Sequence, residues 1–293
     1  MNGFKHILTA LSGAETAENV LKTAYLCARK FNGHMDAVHV RPSPSCLLPI
    51  PVVSSDVTGF VVSDIVANEE SVYAKNARDI ENLFDRFVRL NRIDVCEEPS
   101  LFPHVTAQFR TFDGAAEELA VFLSRVSDLT IMPRPVRNAA PNDDTFGILN
   151  AVLMETGAAV LLPASGIPET VGTKIAVEWN GTAEAAKAVT LAVPFLRKAK
   201  QLVIFETAEL PEYGNAAALR NFLAWSGIKA QVVSLEKNLS SGAQGEQLTA
   251  AVRDGFDLLV MGAYTQSSMR RWILGSVTRY MIENADIALF LAH

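Results

Sequence analysis

Cysteine is scarce in this sequence of 293 residues. Cys27, Cys46 and Cys96 lie far apart, and no two of them form a CxxC pair. Structural zinc sites and disulfide frameworks need closely spaced or paired cysteines, so neither is expected to organise the fold. The cysteine pattern favours a reducing compartment. A strand pattern begins near His6 with no apolar leader before it, and we therefore expect a cytoplasmic protein.

Long apolar runs and an excess of basic residues are also missing. No run approaches the roughly 18 apolar residues that span a bilayer. The net charge is -6, whereas a nucleic-acid footprint needs a basic face. We therefore expect neither a membrane nor a nucleic-acid partner.

Signatures of catalysis and metal binding are missing too. The five histidines show no HxxxH or HExxH spacing, and no serine lies in a G-x-S-x-G elbow. The sequence therefore predicts no catalytic residue and no metal site.

Strands and helices alternate from the start of the chain. Residues 7–11 form a short apolar strand pattern, and a helical pattern with one apolar face follows as far as Phe31. Residues 35–40 then form a second strand pattern. A strand, a helix and a strand within about 35 residues predict a βαβ unit and hence a parallel sheet.

The rest of the first half continues this alternation. Residues 42–60 are rich in proline and serine, which predicts a long loop. Helices are predicted over about 71–90, over 115–126 and up to Glu155, and strands over 106–110, 128–132 and 159–163. The first half therefore has five predicted strands.

The second half repeats the order of elements in the first. Residues 174–181 align with 5–13, residues 257–261 with 128–132, and residues 288–291 with 160–162. Helical patterns lie between these strands over 183–197, 216–226 and 246–254. Between the two copies, 164–172 contains Pro168, Gly166 and Gly172, which is typical of a linker. The sequence predicts two tandem α/β domains over 1–164 and 172–293, each with a five-stranded parallel sheet.

A candidate anion site lies near the end of the second copy. A buried strand pattern ends at Gly262, a polar loop follows, and Gly275, Ser276, Val277 and Thr278 stand where a helical pattern begins. Glycine permits close approach of a ligand, and free N–H groups at a helix start attract phosphate. Arg270 and Arg271 of the loop could add positive charge. Alternatively, the two glycines only end a strand and ease a turn.

These residues resemble the nucleotide-binding signature of the universal stress protein family, G-x2-G-x9-G-S/T, and the duplication resembles its tandem members. The resemblance implies Rossmann-like, adenine nucleotide alpha hydrolase-like domains that pair within the chain, with a further homodimer left open. It also implies a role in stress response or signalling through unidentified protein partners. The ligand would be ATP, ADP or AMP, accompanied by Mg²⁺. The residues that it assigns to the nucleotide are Val177, Asn180, Gly262, Thr265, Gly275, Ser276, Val277 and Thr278.

The second copy departs from the family signature at two positions. Thr265 stands in place of the second glycine, and its Cβ narrows the approach of a phosphate. Asn180 replaces the acidic residue that follows the first strand, but it can still donate and accept hydrogen bonds. Trp179 either flanks an adenine or packs at the strand end.

The first copy departs further. Its acidic position is Ser12, its first signature glycine is Pro133, and Gly147 is followed by no serine or threonine. Proline has no N–H group to offer a phosphate. The first half is therefore predicted to have lost the phosphate cradle.

Three functions remain compatible with the sequence. In the first, nucleotide binding changes the conformation of 263–274 and thereby a partner or dimer surface. In the second, both sites have decayed and the chain is a nucleotide-free scaffold. The third is a weak ATPase. An adenylating enzyme is disfavoured, because 11–16 lacks most of the SGGxDS pyrophosphatase loop.

Overall fold

The computed structural model describes residues 3–42, 58–98, 103–136, 143–263 and 275–293. In these ranges eleven strands form one sheet with helices on both faces. The strands are β1 (His6–Ala10), β2 (His34–Arg41), β3 (Asp94–Val95), β4 (Thr106–Asp113), β5 (Leu129–Ile131), β6 (Val160–Leu162), β7 (Lys174–Trp179), β8 (Gln201–Glu206), β9 (Gln231–Ser234), β10 (Leu258–Gly262) and β11 (Ala288–Ala292). The helices are α1 (Ala14–Phe31), α2 (Thr58–Asn91), α3 (Ala116–Ser124), α4 (Thr145–Glu155), α5 (Ala183–Leu196), α6 (Ala216–Ala224), α7 (Ser241–Val252) and α8 (Ser276–Asn284).

The sheet consists of two parallel halves joined edge to edge. Its strand order is β3-β4-β2-β1-β5-β6-β11-β10-β7-β8-β9. All neighbours are parallel except β6 and β11, where Leu161 lies opposite Phe290. Strands of the two halves therefore run in opposite directions, and their carboxyl ends lie at opposite edges of the sheet. The predicted α/β class with two parallel units is confirmed.

Three elements differ from the sequence prediction. The first half gains β3, which is too short to show any alternation. Helix α2 begins at Thr58, whereas the sequence predicts a start near Ser71. The first turns contain a glycine and several β-branched residues, whose low helix propensity obscures the helical pattern. Helix α7 begins at Ser241 rather than Glu246, and its first turns contain Gly242 and Gly245. In both helices, low intrinsic propensity in the first turns weakens the periodic pattern, so the sequence predicts a later start.

The two halves share one apolar core on each face of the sheet. One core contains residues of α1, α2, α5 and α6, and the other contains residues of α3, α4, α7 and α8. In the first core, the rings of Phe4, Phe31, Phe195 and Phe290 form pairs with centroid distances of 5.1 to 6.3 Å. Two of these rings come from each half, so burial of apolar surface stabilises the halves together.

The segment between the copies contacts both of them. The Gly172 carbonyl accepts a hydrogen bond from Lys30 Nζ, and Gly172 itself has φ +66°. A Cβ at Gly172 would lie 2.4 Å from the Phe195 ring, so glycine is needed there for conformation and for space. The boundaries 1–164 and 172–293 stay a prediction. Within the described ranges, no helix has the length and hydropathy that crossing a bilayer requires.

Candidate functional site

The candidate site lies at the carboxyl edge of the second half, between β7 and β10. These two strands are parallel neighbours, and the chain leaves β7 toward β8 but leaves β10 toward β11 on the other side. The strand order therefore reverses at this point. Ligands of open α/β sheets bind in the crevice that forms at such a reversal. Gly262 ends β10 here, and Asn180 follows β7.

Gly262 allows β10 to approach helix α5 closely. A Cβ on Gly262 would lie 2.7 Å from the backbone nitrogen of Ala185 and 2.9 Å from Glu184 Cβ. Both contacts are shorter than real Cβ contacts allow, so packing of strand against helix requires a glycine. The first glycine of the predicted signature thus has a structural role, whatever its part in binding.

Thr278 ties the first turn of α8 to the end of β10. Its Oγ1 donates a hydrogen bond of 3.1 Å to the Gly262 carbonyl, and the side chain is buried. This bond joins two parts of the predicted signature. It also uses the donor of the hydroxyl, which leaves the oxygen as an acceptor toward any ligand.

The N-terminus of α8 is suited to an anion. Gly275 is the N-cap residue, and no side chain caps this helix end among the described residues. Ser276 is exposed at the first helical position, and Arg279 N closes the first turn on the Gly275 carbonyl at 2.8 Å. Backbone N–H groups of a first turn lack partners within the helix, and they carry the positive end of the helix dipole. Ser276, Val277 and Thr278 therefore form a donor set that fits a phosphate.

Asn180 shapes the turn that leads from β7 into α5. Its Oδ1 accepts hydrogen bonds from Thr182 N at 3.1 Å and from Thr182 Oγ1 at 2.9 Å. Thr182 in turn caps α5 by accepting from Ala185 N. Gly181, at φ +74°, completes the turn. Within the described ranges Asn180 Nδ2 makes no hydrogen bond, so the amide still presents donors that a carboxylate would lack.

Two predicted neighbours of the nucleotide lie in the core. Val177 is fully buried within β7, with Val260 and Ile204 as its partners on the adjacent strands. Trp179 is 9% exposed, and its Nε1 donates to the Gly214 carbonyl at 2.9 Å. The indole therefore packs rather than flanking an adenine. Thr265, Arg270 and Arg271 lie outside the described residues.

Glu178 is a buried carboxyl group that the sequence pattern did not single out. It lies two residues before Asn180 and is 3% exposed. Burial raises the pKa of Glu178 to about 7, although a hydrogen bond from Thr207 Oγ1, 2.6 Å long, opposes the shift. The available signal was a single acidic residue inside an otherwise apolar strand. The group adds a titration near neutral pH close to the site.

The corresponding edge of the first half is occupied by protein groups. The Ser12 carbonyl accepts a hydrogen bond from Asn76 Nδ2 of α2 at 3.2 Å. Pro133 follows β5 where the signature has a glycine, and the next side chain, Arg134, reaches into the second half. A Cβ on Gly147 would lie 2.2 Å from Asp144 Oδ1, a contact that the exposed Asp144 side chain can relieve by rotating. Among the described residues of the first half, no helix begins with a glycine followed by a hydroxyl residue as α8 does with Gly275 and Ser276.

Reactive thiols and metal clusters are not features of the described ranges. Burial raises the pKa of the Cys27 thiol to about 12, which disfavours a reactive thiolate. Cys96 Sγ donates to the Glu98 carbonyl at 3.0 Å. In the described part of the chain, no group of three His, Cys, Asp or Glu residues is arranged to hold a metal ion.

The fold is that of a duplicated parallel α/β protein, and the candidate anion site lies in its second half. The model of the universal stress protein family matches residues 173–293, so the second half of the chain is similar to that family. The first half shares the fold and the order of elements. A comparison with curated proteins found no match.

Several solved structures match the chain over nearly its full length, among them the following two. A universal stress protein from Archaeoglobus fulgidus DSM 4304 is 16% identical, with a TM-score of 0.58 and coverage of 98% of this chain and 95% of that protein. A putative universal stress protein from Pseudomonas aeruginosa UCBPP-PA14 is 12% identical, with a TM-score of 0.60 and coverage of 99% and 94%. At these identities the likeness shows a common fold across both halves.

Proposed function

We propose that the chain binds an adenine nucleotide at the carboxyl edge of its second half and acts in stress response or signalling. The observation that carries the proposal is the N-terminus of α8, which no described side chain caps and which stands beside Gly262 where the strand order reverses. A polyphosphate chain would complete the hydrogen bonds of this helix end and offset its dipole.

Different residues of the site would bind different parts of the nucleotide. The first-turn N–H groups of α8 and the Ser276 hydroxyl would hold phosphate oxygens. Asn180 Nδ2, on the neighbouring strand end, would donate to an acceptor on the sugar or the base. Mg²⁺, if present, would come with the nucleotide, because no three-ligand protein cluster stands ready for it among the described residues.

Calorimetry with ATP, ADP and AMP, with and without Mg²⁺, tests the proposal. We expect a dissociation constant of about 1 mM or tighter for at least one of them. Ser276→Ala should weaken that binding about tenfold, because a hydrogen bond to a charged phosphate is lost.

Ser241→Ala is the matched control for this substitution. Ser241 is also the exposed first residue of a helix, α7, but its helix end is capped by the Ser240 side chain. The control should bind like the wild type. Equal effects of both substitutions would count against α8 as the phosphate site, and no binding by the wild type would refute the proposal.

A nucleotide-free scaffold is the second candidate. It is favoured by the engagement of Thr278 Oγ1 with Gly262 and of Asn180 Oδ1 with Thr182. The purified protein, denatured and examined by absorbance and mass spectrometry, distinguishes the two functions. Released adenine nucleotide supports binding, whereas its absence together with a flat calorimetric titration supports the scaffold.

A further inference from the structure

Arg134 links the first half of the chain to helix α8 of the second. It follows β5 between Pro133 and Pro135, and its guanidinium makes six contacts with five backbone carbonyl oxygens. These are Nε and Nη2 to Pro163 at 3.1 and 2.9 Å, Nη1 to Met281, Ile282 and Ala285 at 3.2, 3.1 and 2.8 Å, and Nη2 to Ile287 at 2.6 Å. Every nitrogen of the guanidinium is therefore engaged.

Three of these carbonyl groups, those of Met281, Ile282 and Ala285, lie at the C-terminal end of α8, and Met281 O also accepts from Ala285 N at 2.9 Å. The last carbonyls of a helix lack partners within the helix, and they carry the negative end of its dipole. Arg134 supplies both the donors and the positive charge that this end requires. Burial lowers the pKa of Arg134 to about 10, and the nearby Asp286 opposes the shift, so the group is protonated at neutral pH.

The aligned position of the second half makes no such link. The residue of the second half that aligns with Arg134 is Ala263, which has no side-chain donor and whose N–H group bonds to the Ala292 carbonyl at 2.8 Å. The two flanking prolines fix φ near -65° on either side of Arg134, which limits the freedom of the backbone that presents it. The segment around Arg134, which aligns with the end of β10, thus links the two halves.

The opposite end of α8 carries the candidate nucleotide site. The helix has nine residues and therefore a length of about 13 Å, over which it behaves as a rigid rod. Arg134 holds its C-terminal end, and the bond from Thr278 to Gly262 holds its first turn. We propose that Arg134 is a positioning residue for the nucleotide site, through which the first half sets the placement of the α8 N-terminus. This inference rests on the proposed function.

Two variants and one control test the inference. Arg134→Met keeps the apolar stem and removes every donor, whereas Arg134→Lys keeps the charge but not the planar fork. The control is Arg125→Met. Arg125 also contacts a helix-terminal carbonyl, that of Glu155 at 3.3 Å, but it is exposed and this partner belongs to α4.

The readouts are amide hydrogen exchange and nucleotide affinity, both at a temperature where each variant is folded. We expect Arg134→Met to speed exchange at Arg279, whose N–H closes the first turn of α8, about tenfold relative to α5. The affinity for the tightest of ATP, ADP and AMP should fall about tenfold. Arg134→Lys should lie between Arg134→Met and the wild type, and Arg125→Met should match the wild type.

Two results would overturn the inference. One is a wild-type rate of exchange at Arg279 with unchanged affinity in Arg134→Met. The other is an equal acceleration in every helix, which would mean that Arg134 stabilises the whole molecule without positioning α8. Absence of nucleotide binding by the wild type would instead refute the proposed function. If Arg134→Met does not fold, Arg134→Lys is judged by the same two criteria.

Discussion

Glu178 shows how burial and hydrogen bonding compete at a single residue. The carboxyl group is enclosed beneath the second half's helices and has one short hydrogen bond, from Thr207. Removal from water disfavours the charged form more strongly than one hydroxyl donor favours it, so the pKa rises to about 7. At neutral pH the group is therefore close to half-protonated.

Substitution of Glu178 by glutamine should flatten the pH dependence of stability. The folded-state pKa lies above the ordinary value of 4.5, so the protonated group contributes fully below pH 4.5 and that contribution is lost as the pH rises to about 7. The loss is on the order of 3 kcal/mol. Urea unfolding at pH 5, 6, 7 and 8 should show a smaller decline for Glu178→Gln than for the wild type. Glu212→Gln, at an exposed position, is the control, and parallel profiles for all three proteins would contradict the prediction.

At the scale of elements, contacts between helix and strand determine where glycine is required. Gly262 lets the end of β10 meet the first turn of α5, and Gly245 of α7 packs against Tyr280 of α8, where a Cβ would lie 2.6 Å from the ring. Gly242, in the first turn of α7, has no atom near the position of a Cβ. The same residue type is therefore essential at two positions and costly at a third.

Alanine at Gly262 and at Gly242 should have opposite effects on stability. Gly262→Ala forces a Cβ against the α5 backbone and should lower the free energy of unfolding by about 1 to 3 kcal/mol. Gly242→Ala meets no atom and reduces the entropy of the unfolded chain, so it should raise that energy by up to about 1 kcal/mol. Urea denaturation measures both. A neutral Gly262→Ala would show that β10 and α5 are not in close contact.

Across the whole molecule, the two cores make the halves interdependent. Phe4 and Phe31 of the first half and Phe195 and Phe290 of the second enclose one another, and β6 pairs with β11. All three tryptophans, Trp179, Trp225 and Trp272, belong to the second half. Their fluorescence reports that half alone, whereas far-UV circular dichroism reports both.

Unfolding should therefore be a single transition, with coincident curves from fluorescence and circular dichroism. Phe195→Ala should lower the free energy of unfolding by about 3 to 5 kcal/mol and shift both curves together. Phe222→Ala, at a position 59% exposed on α6, should change it by about 0.5 kcal/mol or less. If Phe195→Ala separates the two curves, the halves unfold independently and the shared core is not what holds them together.

Much of this architecture could be predicted, because buried parallel strands and amphipathic helices leave periodic patterns. Strand β10 and helix α5 are confirmed to within a residue or two. The starts of α2 and α7 lie earlier than predicted, because glycine or β-branched residues weaken the helical pattern there. The register of β6 against β11 joins residues about 130 positions apart, and no local pattern encodes such a pairing.

The candidate site was predictable only in part. Gly262 and Thr278 were recognised by spacing, but their contacts with α5 and with each other depend on tertiary structure. Glu178 could not be predicted as a titrating group, because its raised pKa depends on burial that the sequence does not show. Arg134 has no local signal in the sequence, because four of its five carbonyl partners lie about 150 residues further along the chain.

The antiparallel junction of β6 and β11 has a consequence for ligand stoichiometry. Two identical subunits paired in this way would carry two equivalent sites, and binding at one site could change the affinity of the other. Here the two halves differ in sequence: Pro133 of the first half stands where the second has Gly262, and no serine or threonine follows Gly147. If the proposed function is correct, each chain saturates with one nucleotide and follows a simple hyperbolic isotherm, and any sigmoidal binding would have to arise between separate chains.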